Sequence, residues 1–234
     1  MTARDQLPLP LLPARTARGR EDFFVSPSNA MAVAMIDNWR TWPNGKCLLT
    51  GPLGAGKTHL AHVWAEACGA RIIAAADLVQ ADIPALAQGP VCVEDVQTIA
   101  GDRPAEEALF HLHNLVLAQG QPLLITGADT PQSWPLVLPD LQSRLLGTQA
   151  LRLQDPDDDL LGALLAKLFA DRQIVPAPDV LPYLVKTMPR SHDAAARIVT
   201  ALDAAALGSK GGVTRPLAAK VLAQLAQSDA EAHN

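Results

Sequence analysis

Residues Gly51-Pro52-Leu53-Gly54-Ala55-Gly56-Lys57-Thr58 spell G-x-x-x-x-G-K-[ST], a spacing with a definite chemistry. Glycines let a loop close round a phosphate, while backbone N–H groups and a following helix N-terminus supply donors and positive potential. Lys57 reaches the β- and γ-phosphates, and the Thr58 hydroxyl ligates Mg²⁺. The implied ligand is a nucleoside di- or triphosphate. A chance match in a chain of 234 residues is on the order of 1% from average composition. A second group, Val91-Cys92-Val93-Glu94-Asp95, is an apolar run ending in two carboxylates, the acids that a P-loop site draws from a neighbouring strand. Glu94 faces the metal shell and Asp95 polarises a water. Asp is usual at the first of these positions, and the extra methylene of Glu94 pushes its carboxylate outward, which counts against tight metal coordination and turnover.

Other titratable clusters read as structure. Asp157-Asp158-Asp159 resembles a metal cluster only in composition; acids at a helix N-terminus, facing its dipole, are far commoner. His111 and His113 sit about 200° apart on a helix and cannot share a metal. Cys47, Cys68 and Cys92 have neither metal nor disulfide spacing and read as small buried hydrophobes.

The elements that must position the phosphate loop follow from periodicity. Lys46–Thr50 reads as a strand before the loop and His59–Cys68 as a helix after it. Further strands are expected at Arg71–Ala75, Val91–Val93, Leu123–Thr126 and Ala150–Leu153, with helices near 28–40 and 104–118. In the last of these, Ala105, Leu109, Leu112 and Val116 form one apolar stripe, and Gly120 is a C-terminal stop. Alternating strands and helices imply a parallel sheet covered by helices. Beyond Leu153 only helical patterns appear, near 159–171, 178–188, 192–207 and 214–227, so a second, all-α unit is expected. The division is 1–20, an extended arm; 21–154, an α/β domain; and 155–234, a helical domain.

Composition narrows the function. With 49% hydrophobic and 18% charged residues, the chain has a real core. Its 19 basic against 24 acidic residues give a net charge of −5, which removes the bulk attraction to duplex DNA. No membrane-spanning stretch or secretion-signal core is found, so a cytoplasmic protein without a membrane partner is expected. Residues 1–20 carry four Arg against one acid, with several prolines, a composition that favours an exposed arm; a transit peptide is the weaker alternative.

Together these pieces resemble the AAA+ family, in its DnaA–Hda branch of bacterial replication proteins, over about Glu21 to Gln227. The likeness rests on Asp22-Phe23-Phe24-Val25-Ser26-Pro27-Ser28-Asn29, the P-loop, Val93-Glu94-Asp95-Val96-Gln97, Glu106-Glu107-Ala108-Leu109-Phe110-His111, Leu124-Ile125-Thr126-Gly127 and Leu141-Gln142-Ser143-Arg144-Leu145. It implies an AAA+ P-loop NTPase fold with a five-stranded parallel sheet flanked by helices, followed by a small all-α lid. It also implies an adenine nucleotide, ADP or ATP, with Mg²⁺. The nucleotide would be held by Phe24, Val25, Pro27 and Asn29, by Gly51 to Thr58, and by His59. Arg144, on its own residues a surface arginine in a loop, becomes a candidate arginine finger for a neighbouring subunit's nucleotide. The family's lid arginine falls on Asp193, with Arg190 and Arg197 as the nearby substitutes. The sensor acid is displaced by one, so Asp129 is not assigned.

The arm's Gln6-Leu7-Pro8-Leu9-Pro10-Leu11, a linker on composition alone, is similar to the Q-L-x-L-[FP] peptide by which proteins of this branch enter the DNA polymerase III sliding clamp (beta subunit). Gln6, Leu7 and Leu9 are its clamp-binding residues. The chain stops at Asn234, where an initiator continues into a helix-turn-helix domain, so contact with DNA is expected only through the clamp and at the nucleoid. The resemblance therefore implies a regulator that stimulates hydrolysis of DnaA-bound ATP, more an activator than an efficient ATPase. An autonomous oligomeric P-loop ATPase, acting as a remodelling motor or loader, is the alternative, and a DNA-binding initiator without its C-terminal domain a third. Monomer and homodimer are both left open.

Overall fold

A computed structural model describes residues 24–207 and 212–232. Gln6, Leu7 and Leu9 lie outside them. Five strands, β1 (Lys46–Thr50), β2 (Arg71–Ala74), β3 (Val91–Glu94), β4 (Leu123–Gly127) and β5 (Ala150–Arg152), form one sheet in the order β2-β3-β4-β1-β5. Every pairing is parallel. The strands fall within a residue of their expected bounds, because parallel strands covered on both faces read as continuous apolar runs.

Alternation along the strands divides the core in two. Leu48, Val91, Val93, Leu123 and Ile125 face helix α4 (Arg103–Ala118), whose Ala105, Leu109, Leu112 and Val116 are all buried. Cys47, Leu49, Cys92 and Leu124 face the other way, onto α1 (Ala30–Asp37) and α2 (Lys57–Cys68). Asp102 caps α4, accepting from Ala105 N–H, and Gly120, at φ +68°, takes the left-handed turn after its end. Cys47 and Cys92 are fully buried and free, and burial pushes the Cys47 thiol up to about 12. Among the described residues no group of three or more His, Cys, Asp or Glu is placed to hold a metal, and no helix is long and apolar enough to cross a membrane.

Two α-helices among the described residues were not expected from sequence, the single turn α3 (Ile83–Leu86) and α5 (Pro139–Leu146). Arg144 therefore lies in the last turn of a helix rather than in a loop. The helix signals are short but present: Pro139 at the first position, Leu141 and Leu145 one turn apart and both buried, and Gly147 just past the end.

The C-terminal helices α6 (Asp158–Asp171), α7 (Val180–Thr187), α8 (His192–Leu207) and α9 (Arg215–Ala232) bury a core of their own, including Leu161, Leu165, Phe169, Leu184, Ile198, Val199, Leu202 and Val221. Asp157 caps α6 through Leu160 N–H at 2.8 Å, and Asp158 and Asp159 occupy its first turn. The acidic triplet is thus spent on a helix N-terminus.

Candidate functional site

The phosphate loop emerges from the C-terminal end of β1 and runs into α2. Its glycines hold conformations that side chains resist: Gly54 has φ +74° and Gly56 +99°. A Cβ at Gly51, whose φ is +151°, would come within 2.7 Å of the Leu153 carbonyl oxygen. Lys57 is buried, and its ammonium donates to the Gly51 and Pro52 carbonyls at 2.8 and 2.7 Å. Burial lowers the Lys57 pKa, opposed by the carboxylates of Asp95, Asp129 and Asp193. The loop thus presents one desolvated cation among three acids.

Glu94 closes β3, but β4 stands between β3 and β1, so the acidic strand is one removed from the P-loop strand rather than its neighbour. Asp95 takes a left-handed conformation at φ +57°. Its N–H donates to the Thr126 hydroxyl on β4 at 3.2 Å, and Gln97 donates to its carboxylate at 3.3 Å. Gln97 also accepts from Ala128 N–H at 2.8 Å, while Trp134 donates its indole N–H to the Ala128 carbonyl at 2.6 Å. Gln97 and Trp134 therefore fix the turn after β4 that carries Asp129. The displaced acid left unassigned in sequence stands near enough for its charge to act on the Lys57 ammonium.

Thr58 and Glu94 supply donors of the kind Mg²⁺ takes. One Glu94 carboxylate oxygen is buried without a hydrogen-bond partner, and Thr58 opens α2 with an exposed side chain. Two oxygens of this kind, completed by water and phosphate, are what Mg²⁺ asks of a protein.

The segment before α1 is organised by Asn29, which is buried. Its side chain accepts from Ser26 N–H at 2.9 Å and donates to the Phe24 carbonyl at 3.0 Å. Phe24 and Val25 remain roughly half exposed, leaving apolar surface for a base. Asp157 accepts from Ser28 N–H at 3.2 Å and so ties this segment to the start of α6. Burial would raise the Asp157 pKa, but hydrogen bonds from Leu160 N–H, the Ser26 hydroxyl and Ser28 outweigh it, and the pKa is lowered.

Both candidate arginines of the helical unit are paired within that unit or at its start. Arg190 donates to the Pro156 carbonyl at 2.9 Å and pairs with Asp158 at 2.6 Å; Arg197 pairs with Asp229 at 2.6 Å. The turn that faces the loop is Ser191-His192-Asp193, with His192 N–H donating to the Gly54 carbonyl at 2.8 Å. The resemblance drew attention to Asp193 but gave no sign of His192.

Arg144 is exposed and has no acidic partner among the described residues. Its backbone carbonyl accepts from Lys46 Nζ at 3.3 Å, and Lys46 begins β1, so five strand steps of about 3.3 Å separate it from Gly51. Arg144 thus stands at the end of the sheet away from its own P-loop. Helix α5 is held at both ends. The fully buried Glu106 accepts from Gly101, Val137 and Leu138 N–H groups at 2.7–3.1 Å beside the α5 N-terminus, and the Lys46 ammonium sits at its C-terminus, each charge matched to the helix dipole.

Lys46 also meets His113 Nε2 at 3.3 Å. Burial, with Lys46 adding to it, pushes the His113 pKa down to about 4. The unfolded chain therefore binds a proton at His113 near pH 6.5 that the folded chain refuses until about 4. Urea midpoints are expected to fall as pH drops from 6.5 towards 4, and His113→Gln should flatten that slope; an unchanged slope contradicts the neutral, buried imidazole.

No family model matches the chain. Among solved structures it is similar to domain III of the Thermotoga maritima replication initiation protein DnaA, with a TM-score of 0.76 at 17% identity over 91% of this chain and 98% of that one. A replication initiator DnaA bound to AMPPCP and single-stranded DNA is similar with a TM-score of 0.66 at 19% identity. The match takes in 80% of this chain but spans only 65% of that DnaA. The FIGL-1 AAA domain in complex with ADP gives a TM-score of 0.61 at 18% identity, covering 87% and 82% of the two chains. At these identities the likeness is one of fold, and with the P-loop between β1 and α2, the 2-3-4-1-5 parallel sheet and the helical unit that follows it, the chain has the AAA+ fold.

Proposed function

We propose that this chain is a regulator of the Hda type. It binds ADP or ATP at its P-loop, is tethered to the sliding clamp by its arm, docks on ATP-bound DnaA and stimulates hydrolysis of that ATP, so that initiation is switched off. The observation that carries the reading is the placing of Arg144: exposed, without an acidic partner among the described residues, on a helix pinned by Glu106 and Lys46, at the end of the sheet away from its own P-loop. An arginine so held serves another subunit's phosphates, where its planar fork meets the charge that grows on the transferring phosphoryl group. Lys57 and the α2 N-terminus hold this chain's own phosphates. Thr58 and Glu94 would hold Mg²⁺, which neutralises phosphate charge when bound. Asp95, held by Thr126 and Gln97, would orient water.

The tether has its own test. Replacing Gln6, Leu7 and Leu9 with alanine is expected to abolish clamp binding of micromolar strength, on the order of −8 kcal/mol. Thermal stability should stay unchanged, because an extended arm contributes little to a core. Surface-immobilised clamp measures the first and thermal unfolding the second; retained clamp binding contradicts the motif.

A second reading, an autonomous oligomeric ATPase, draws support from Asp95 and Asp129 gathered round Lys57, a set with the makings of catalysis in cis. The two part on one experiment: hydrolysis of ATP preloaded on DnaA, with and without this protein and clamp-loaded DNA, against ATP turnover by this protein alone.

A further inference from the structure

The helical unit touches the phosphate loop through one turn. Ser191 accepts from Ala194 N–H at 3.2 Å and so begins α8, and His192 N–H holds the Gly54 carbonyl. A Cβ added at Gly54 would run into Ser191, and one at Gly56 would lie 3.1 Å from His192 Nε2. The imidazole therefore rests on the residue immediately before Lys57, where α2 begins and where its first N–H groups point at a bound phosphate. Both nearby arginines are committed elsewhere, Arg190 to Pro156 and Asp158 and Arg197 to Asp229.

We propose that His192 is the lid's contact to the nucleotide phosphates, its Nε2 donating to the terminal phosphate of a bound diphosphate. The inference rests on the P-loop reading above and adds a binding residue to it. Charge around the ring agrees with this role. Burial lowers the His192 pKa, opposed by Asp193 on its own helix. Lys57, next in the chain to Gly56, is itself within the fields of Asp95, Asp129 and Asp193. Among the described residues Nε2 has no hydrogen-bond acceptor, and an arriving phosphate would supply one. An imidazole in this place links the grip on phosphate to the docking of the helical unit, since the same residue's backbone holds Gly54.

The test separates a phosphate contact from mere packing. Competition of ADP, ATP and AMP against a fluorescent ADP analogue is measured for the full chain and for His192→Ala. A charge-assisted hydrogen bond to phosphate predicts that ADP and ATP weaken about tenfold, while AMP, which lacks the β-phosphate, stays within about twofold. His192→Gln, which keeps the volume, is the second variant should alanine unseat the helices; the same selectivity is expected in smaller measure. Equal loss for AMP and ADP assigns His192 to lid packing, and no loss for any nucleotide removes it from the site; either overturns the inference and leaves the P-loop reading standing. Failure of the unaltered chain to bind any adenine nucleotide overturns both.

Discussion

Arg144→Ala is expected to eliminate stimulation of DnaA's ATP hydrolysis while leaving this protein's nucleotide affinity and clamp binding nearly intact. Arginine fingers contribute roughly 10³–10⁵ in rate in GTPase systems, so the loss should approach basal hydrolysis. The selectivity follows from position. The guanidinium is exposed and α5 is anchored through backbone groups, by Glu106 at one end and Lys46 at the other, so truncating the side chain leaves the helix in place. Arg144→Lys should fail largely too, because an ammonium lacks the planar fork that bridges phosphate oxygens. If Arg144 merely anchors surface structure, stability falls slightly and stimulation stays normal. Single-turnover hydrolysis of labelled ATP preloaded on DnaA decides between these outcomes.

Lys57→Ala is expected to weaken ADP and ATP by more than tenfold, since a charge-assisted contact to phosphate contributes at least about 1.5–3 kcal/mol. The variant also leaves the Gly51 and Pro52 carbonyls without their donor and Asp95, Asp129 and Asp193 without their shared cation. Three acids about an uncompensated site then repel phosphate, which pushes the effect towards the upper end. Calorimetry with unchanged affinity for both nucleotides contradicts this account of the site.

Much of the architecture was legible because its signals are local. The strand before the P-loop, the stripe Ala105-Leu109-Leu112-Val116 and the four helices after Leu153 each follow from periodicity within one element, and each stands within a few residues of its expected place. What escaped depends on meetings between distant residues. Strand order is invisible in a chain whose strands are all apolar, so the interposition of β4 between β1 and β3 came only with the structure. Asp129 comes within electrostatic range of Lys57 on a turn shaped by Gln97 and Trp134, which no spacing rule records. Arg190 and Arg197 are basic residues in the right neighbourhood, yet Asp158 and Asp229 hold them; an ion pair across 32 positions leaves no local trace. His192 is legible only once α8 is seen end-on against Gly54 and Gly56. Helix α5 was short enough for its two buried leucines to be missed, and with it the anchoring of the backbone that carries Arg144.

The central claim is that this chain acts on a partner's nucleotide. It is tested most directly by following radiolabelled ATP preloaded on DnaA, in the presence of clamp-loaded DNA, as this protein is added. The account predicts rapid conversion to ADP that requires the clamp, the arm residues Gln6, Leu7 and Leu9, and Arg144, with little ATP turnover by this protein alone. Unchanged DnaA-bound ATP, together with brisk hydrolysis by this protein in DnaA's absence, would contradict it and establish the autonomous ATPase instead.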